Sequence, residues 1–328
     1  MRRSLDRDTG RHTMTSPVLG ALRLIAYVGW TLLLAPVQAL VMALKLPMRF
    51  VIPHFYHAVC ARIVGIDIVV RGEPAEPGPV LVVSNHSSYL DITVLGSLIR
   101  GSFVAKSEVA GWPGFGFLAK LQQTVFIERK ARSTAARQRD DLKARLEGGD
   151  TLILFPEGTS SDGNRTLPFK TALFAVAGTR IDGRPVTVQP VSVTATRLDG
   201  LPMGFAFRPF YAWYGDMDLA PHLWQAFCAG WIEVVVDFHE PVTLDAFSSR
   251  KALAEHCQRA VAHGVERAVR GRDNPLPPRE RVEPKAPGEG PSAEGALILD
   301  GTPTLTLPPG SRRISDPPDA DSAGSASA

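Results

Sequence analysis

Between residues 64 and 242 short apolar runs alternate with longer amphipathic stretches, and this alternation restricts the fold more than any other feature of the chain. Residues 66–70, 80–83, 103–105, 124–127, 152–155 and 186–193 have the length and the Val/Ile content of strands. Residues 92–99, 115–121, 133–146 and 169–177 read as helices. Strand and helix in turn predict an α/β domain with a mostly parallel sheet flanked by helices. A later strand is expected over 231–238, and helical periodicity over 244–269 closes the globular part. In such sheets ligands sit beyond the carboxyl ends of the strands, so polar residues at those ends are where chemistry is to be sought.

The run 80–84 ends in Asn85-His86-Ser87-Ser88-Tyr89-Leu90-Asp91. If a helix starts near Ser87 or Ser88, His86 in the turn and Asp91 in the first helical turn are close enough for the carboxylate to hold one imidazole nitrogen. The other nitrogen is then a general base facing the cleft, with Asp91 fixing the tautomer. The same residues also suit a plain helix start, with Asn85 or Ser87 as cap and His86 an ordinary loop residue. The second polar end, after 152–154, is Phe155-Pro156-Glu157-Gly158-Thr159, which is also common turn chemistry.

Taken together the two turns resemble the glycerolipid acyltransferase family, the lysophosphatidate acyltransferases and their relatives. Its first motif, Asn-His with an Asp further on, stands here as NHSSYLD, and its third, FPEGT, is complete. The second stands as QTVFIER over 123–129, with Gln123 where the family usually has Gly, and Pro190-Val191 fits a looser fourth. The resemblance runs from about residue 64 to 242 and keeps the family's motif order. It implies that His86 is the base and Asp91 its orienting acid. It assigns Arg129 to the acceptor phosphate, and Glu157, Gly158 and Thr159 to the acceptor site. Lys106, at the end of its own strand, is a further head-group candidate. Many phosphatidate-making members carry Arg after the Thr. This chain has Ser160 there, with Arg165 and Lys170 downstream as replacements for the missing charge, or else an acceptor that is not a phosphomonoester. The Trp112–Phe117 stretch and the aromatic run 205–214 suit either an acyl tunnel or plain core.

Residues 24–44 form 21 positions without a charge, about the length that spans a bilayer. Pro36 divides them, and basic residues flank both ends, Arg23 before and Lys45 and Arg49 after. A single span would leave one basic cluster on the far side, against the positive-inside tendency. The pattern therefore favours a kinked helix or helical pair dipping into one leaflet, and the resemblance implies such a membrane-associated segment over 17–63. A buried core helix would give the same hydropathy. Residues 1–16 are polar and expected to be disordered, and the Pro/Gly/Ser-rich stretch 272–328 reads as a disordered tail after a catalytic domain over 64–271.

The net charge of +3 makes no case for nucleic acid as a partner and suits an anionic membrane surface. Three distant cysteines form no pair motif, and His54 and His57 lack the companions of a metal site, so no metal or cofactor is expected. The expected partners are a membrane phospholipid surface, a lysolipid acceptor, and acyl-CoA or acyl carrier protein as donor. The expected location is the inner (cytoplasmic) membrane with the catalytic domain facing the cytoplasm. The reading is an O-acyltransferase that makes phosphatidate from 1-acylglycerol 3-phosphate. Its rivals are an acyltransferase for another lysolipid, notably lyso-ornithine lipid, a non-catalytic membrane-bound lipid-binding protein, and a lipid hydrolase. No G-x-S-x-G elbow marks a serine nucleophile, so the acceptor hydroxyl attacks directly.

Overall fold

The computed structural model describes residues 15–76, 78–128 and 135–271. The arm over 1–14, the tail from 272 and Arg129 lie outside them. Helix α1 (Pro17–Ala43) starts where the sequence allows it: Ser16 Oγ accepts the Leu19 N–H at 3.3 Å, and Pro17 occupies a first-turn position where a missing N–H costs nothing. It runs unbroken through Pro36, and a turn containing the 3₁₀ segment Pro47–Phe50 leads to α2 (Val51–Val64). The segment is thus a pair of helices packed on each other. Gly65 ends α2 in the left-handed region at φ 86°, where its N–H reaches the Ala61 and Arg62 carbonyls. A side chain there would collide with the Arg23 guanidinium.

The α/β domain follows as β1 (Ile66–Arg71), β2 (Val80–Ser84), α3 (Leu90–Leu98), β3 (Ser102–Lys106), α4 (Phe115–Leu121), β4 (Val125–Ile127), α5 (Ala135–Glu147) and β5 (Leu152–Leu154). A small hairpin of β6 (Arg180–Ile181) and β7 (Arg184–Pro185) precedes the long β8 (Thr187–Leu198). After it come β9 (Leu201–Pro202), α6 (Leu219–Cys228), β10 (Ile232–Phe238), β11 (Val242–Thr243) and α7 (Arg250–Val269). The main sheet runs β1-β10-β8-β2-β5-β3-β4. Every neighbour pair along that path is parallel except β10 with β8, and the short β9 and β11 add antiparallel edges to β8.

Both faces of the sheet are covered, which is why its strands read as continuous apolar runs. Val80, Val82, Phe103 and Ile153 point into one core with α2, α3 and α6, while Leu81, Val83, Val104, Leu152 and Leu154 point into the other with α7 and the end of α5. Two expected helices differ in detail. Residues 169–177 form 3₁₀ turns over Thr171–Gly178, and the helix expected from 244 starts at Arg250, because Ser249 caps it by accepting the Ala252 N–H at 3.2 Å.

Arg23, the basic residue before the apolar run, is turned inward. It is buried, and its guanidinium donates to the Ala229 carbonyl at 2.5 Å and the Phe227 carbonyl at 3.3 Å, satisfying the end of α6. It therefore fastens α1 to the body. The far end of the pair is fastened as well. Arg49 meets Asp150 at 3.2 Å, Arg145 meets the same carboxylate at 2.5 Å, and Gln38 donates to the Arg49 carbonyl at 3.0 Å.

Candidate active site

The end of β2 turns into α3 through the residues of the first motif. Asn85 is no helix cap: its amide donates to the Val193 carbonyl and accepts the Val193 N–H, both at 2.8 Å, so the side chain extends the pairing of β2 with β8 by one rung. With Asn85 fixed in this way, the next residue is delivered beyond the sheet edge. His86 Nδ1 lies 2.9 Å from Asp91 Oδ2, and that oxygen also accepts the N–H groups of Ser87 at 2.7 Å and Ser88 at 2.9 Å. An ionised carboxylate only accepts, so the imidazole proton sits on Nδ1, and Nε2 carries the lone pair offered to the cavity that His86 lines. Phe155 lies flat against the imidazole, with ring centroids 4.1 Å apart, and Phe103 stacks behind Phe155 at 6.2 Å. Two aromatic rings and a fully buried carboxylate thus set the plane and the tilt of His86.

The turn after β5 closes over this pair. Gly158 has φ 75°, and Ser161 donates its N–H to the His86 carbonyl at 2.9 Å, which fastens the loop to the turn that bears His86. Thr159 and Ser160 line the cavity beside His86. Glu157 points inward: it is buried, and Oε1 accepts the Leu167 N–H at 3.1 Å across the loop. Burial pushes its carboxyl up from the usual 4.5 to about 8, the Asp91 charge adds to this, and the N–H groups of Leu167 and His86 hold it back.

The raised Glu157 value has a consequence for stability. The unfolded chain loses this proton near its ordinary value and the folded chain only near 8, so folding stability falls as pH rises through that window. Glu157→Gln keeps the acceptor oxygen and never ionises. Thermal unfolding against pH is expected to show the wild-type midpoint dropping between about pH 5 and 8 relative to that of the variant. Parallel curves would mean that Glu157 ionises freely in the fold.

A cavity of about 490 Å³ leads from His86, Gly158 and Thr159 between the sheet and the helices α1, α2, α3 and α4. Its lining is mainly apolar: Leu34 and Ala35 of α1, Ile52 of α2, Ile92 of α3 and Leu118 of α4 are typical. Trp112 and Phe115 belong to this lining. From the aromatic run 205–214, Trp213 lines the cavity while Phe210 and Tyr211 are core. Lys106 reaches the cavity from the end of β3, whereas Arg165 and Lys170 are exposed and outside its lining. Gln123 holds a left-handed conformation at φ 58°, one that glycine adopts more readily, and its side chain donates to the Arg49 carbonyl at 3.2 Å. The departure from the family's second motif therefore leaves a glycine-like backbone in place.

Three contributors escaped the sequence reading. Phe155 was visible only as part of a motif, Asn85 looked like a cap, and Tyr211, which donates to Asp91 at 2.7 Å, comes from 120 residues away. No local pattern marks such long-range partners.

The acyltransferase family model matches residues 67–194. A lyso-ornithine lipid O-acyltransferase of Brucella abortus is 43% identical over 265 residues, covering 79% of this chain and 99% of that protein. A 1-acyl-sn-glycerol-3-phosphate acyltransferase of Neisseria gonorrhoeae is 30% identical over 219 residues, covering 65% of this chain and 80% of that protein. The crystal structure of the 1-acyl-sn-glycerophosphate acyltransferase of Thermotoga maritima shares the fold, with a TM-score of 0.54 at 22% identity over 76% of this chain and 96% of that one. By its motifs, its fold and relatives matched over most of their length, this chain belongs to the lysolipid acyltransferase family.

Proposed function

We propose that this acyltransferase transfers an acyl group from a thioester to the free hydroxyl of lyso-ornithine lipid, with His86 as general base and Asp91 holding its tautomer. The observation that carries the chemistry is the imidazole at the mouth of an apolar cavity, its Nδ1 bound to a buried carboxylate. Nε2 takes the proton of the acceptor hydroxyl as its oxygen attacks the thioester carbonyl. The tetrahedral intermediate then expels the thiolate, which recovers that proton from the imidazolium. The acyl chain lies in the apolar cavity, and no acyl-enzyme forms.

The choice of acceptor rests on two features. Ser160 follows Thr159 where phosphatidate-making members often carry Arg, and the relatives with the higher identities, from Brucella abortus and Rhizobium meliloti, are named lyso-ornithine lipid O-acyltransferases. This replaces the reading in which the acceptor is 1-acylglycerol 3-phosphate. The test is a side-by-side assay of membranes carrying the wild type or His86→Ala, with labelled acyl donor and either lysolipid. His86-dependent label in ornithine lipid is expected. Label in phosphatidate alone would restore the phosphate acceptor, and release of free fatty acid without diacyl product would make the protein a hydrolase.

The donor is a thioester of coenzyme A or acyl carrier protein, and the helical pair seats the enzyme on the cytoplasmic face of the inner membrane. Arg129 stands two residues after the end of β4, and Lys106 lines the cavity from the neighbouring β3; both are assigned to the anionic part of the acceptor head. Arg129→Ala is accordingly expected to raise the acceptor KM about tenfold, the scale of one lost charge-assisted contact, and to leave the donor KM nearly unchanged. An unchanged acceptor KM would remove Arg129 from the head-group site.

A further inference from the structure

Asp91 is oriented from two sides. Its Oδ2 meets His86 and the N–H groups of Ser87 and Ser88, three to five residues away in sequence. Its Oδ1 accepts the Tyr211 hydroxyl at 2.7 Å, together with a longer contact of 3.4 Å from Ser87 Oγ. The Tyr211 ring is fully buried in the apolar core shared by α3 and the sheet, a position that phenylalanine would fill equally well. The hydroxyl is the one atom that the packing does not require, and it is placed on the carboxylate.

The segment that carries Tyr211 is itself fixed. Arg208 is buried and donates to the Ala195 carbonyl of β8 at 3.0 Å, to the Met203 carbonyl at 2.8 Å and to the Gly163 carbonyl at 3.4 Å in the loop after β5, the acceptor loop, which carries Glu157 to Thr159. Two residues beyond Tyr211, the Trp213 N–H donates to the Ser87 carbonyl at 2.8 Å. Tyr211 thus approaches Asp91 from a strap tied to the sheet, to the acceptor loop and to the turn that bears the base.

We propose that Tyr211 is a positioning residue for the reaction: its hydroxyl stops the Asp91 carboxylate from swivelling and so holds Oδ2, and through it the His86 imidazole, on the acceptor hydroxyl. The proposal rests on the reading of His86 as base. A carboxylate turns about its last bond with little resistance, and its two oxygens move together, so the three donors on Oδ2 and the hydroxyl on Oδ1 resist that turn jointly. Tyr211 supplies the short contact on Oδ1, from a distant part of the chain. Burial and the neighbouring Asp91 charge raise the Tyr211 hydroxyl well above its ordinary value, so it remains a donor throughout the working pH range. Among the described residues the titratable groups facing this centre are His86, Tyr89, Glu157 and Tyr211, with His222 on the Tyr89 hydroxyl and Lys106 on the cavity wall.

The test is Tyr211→Phe in detergent micelles or membranes, with folding checked by thermal unfolding. Turnover is expected to fall about tenfold, as for one charge-assisted hydrogen bond, with the KM of both substrates within about twofold of wild type. With one donor gone, more negative charge faces the imidazole, so the acid limb of kcat/KM moves to higher pH and the downfield Nδ1–H resonance of His86 moves further downfield. 3-Fluorotyrosine incorporated at Tyr211, a stronger donor of nearly the same size, moves both in the opposite direction. A folded Phe variant with unchanged kcat, or one whose kcat falls while neither limb nor resonance moves, overturns the proposal. The resonance is read without substrate. A wild type that acylates neither lysolipid would therefore defeat the functional reading alone and leave this inference to be decided by the spectrum.

Discussion

Replacing His86 with alanine is expected to lower turnover by about 10²–10⁴-fold, the range attributed to a positioned general base. The geometry explains why the loss should fall on kcat. The imidazole is held by Asp91, Phe155 and the Ser161 contact to its own carbonyl, so it is poised before substrate arrives. Alanine removes the base but leaves the cavity and the backbone contacts, since the Ser161 bond uses the His86 carbonyl and the Asn85 rung uses its neighbour. Folding and membrane attachment should therefore survive, and the KM values should change little. The decisive measurement is the initial rate with saturating donor and acceptor on equal amounts of membrane-bound protein. Near-full activity would defeat the mechanism, because among the described residues no other imidazole lines the cavity near the loop after β5: His57, the second histidine of its lining, is buried against Gln122 at 3.0 Å.

The parts of this molecule that were legible in the sequence are those whose cause is local. A strand covered on both faces must be apolar at successive positions, so the runs later found as β2, β3, β5 and β8 announced themselves. The proximity of His86 and Asp91 followed from a spacing of five residues across a strand-to-helix turn. What remained hidden depends on distant partners. Arg23 looks like a basic flank until α6 is laid against α1 and its carbonyls need a donor. Asn85 looks like a cap until β8 arrives with Val193. Gln123 looks like a broken motif until its φ shows that the backbone has kept the glycine conformation. Serine at position 160 was readable at once, yet its meaning depended on which acceptor the rest of the site serves.

The second large effect is expected at the outer face of α1. Leu22, Ile25, Leu32 and Leu33 are 62%, 69%, 70% and 60% exposed, and Val18, Val37 and Leu40 continue the same stripe at helical spacing, joined by Phe55 of α2. The opposite face of α1, with Leu24, Tyr27 and Gln38, is occupied by the protein body. Monomeric proteins do not leave a stripe of that length in water without a partner, and a lipid surface is the partner that suits an uncharged face. Aspartate at both Ile25 and Leu32 removes two side chains worth about 1.5–3 kcal/mol each on transfer, before any repulsion from anionic lipid is counted. Partition onto vesicles of mixed zwitterionic and anionic phospholipid should therefore fall by about 10²–10⁴-fold. These side chains are largely free of the body, so the thermal unfolding of the variant in detergent should match wild type within a few degrees. The lysolipid acceptor resides in the membrane, so turnover on vesicle-borne acceptor should fall with binding, while turnover on acceptor in mixed micelles should persist. Unchanged vesicle binding would mean that the stripe is covered by something other than lipid. Binding lost together with the fold would mean that α1 is a core helix of the body rather than its seat on the membrane.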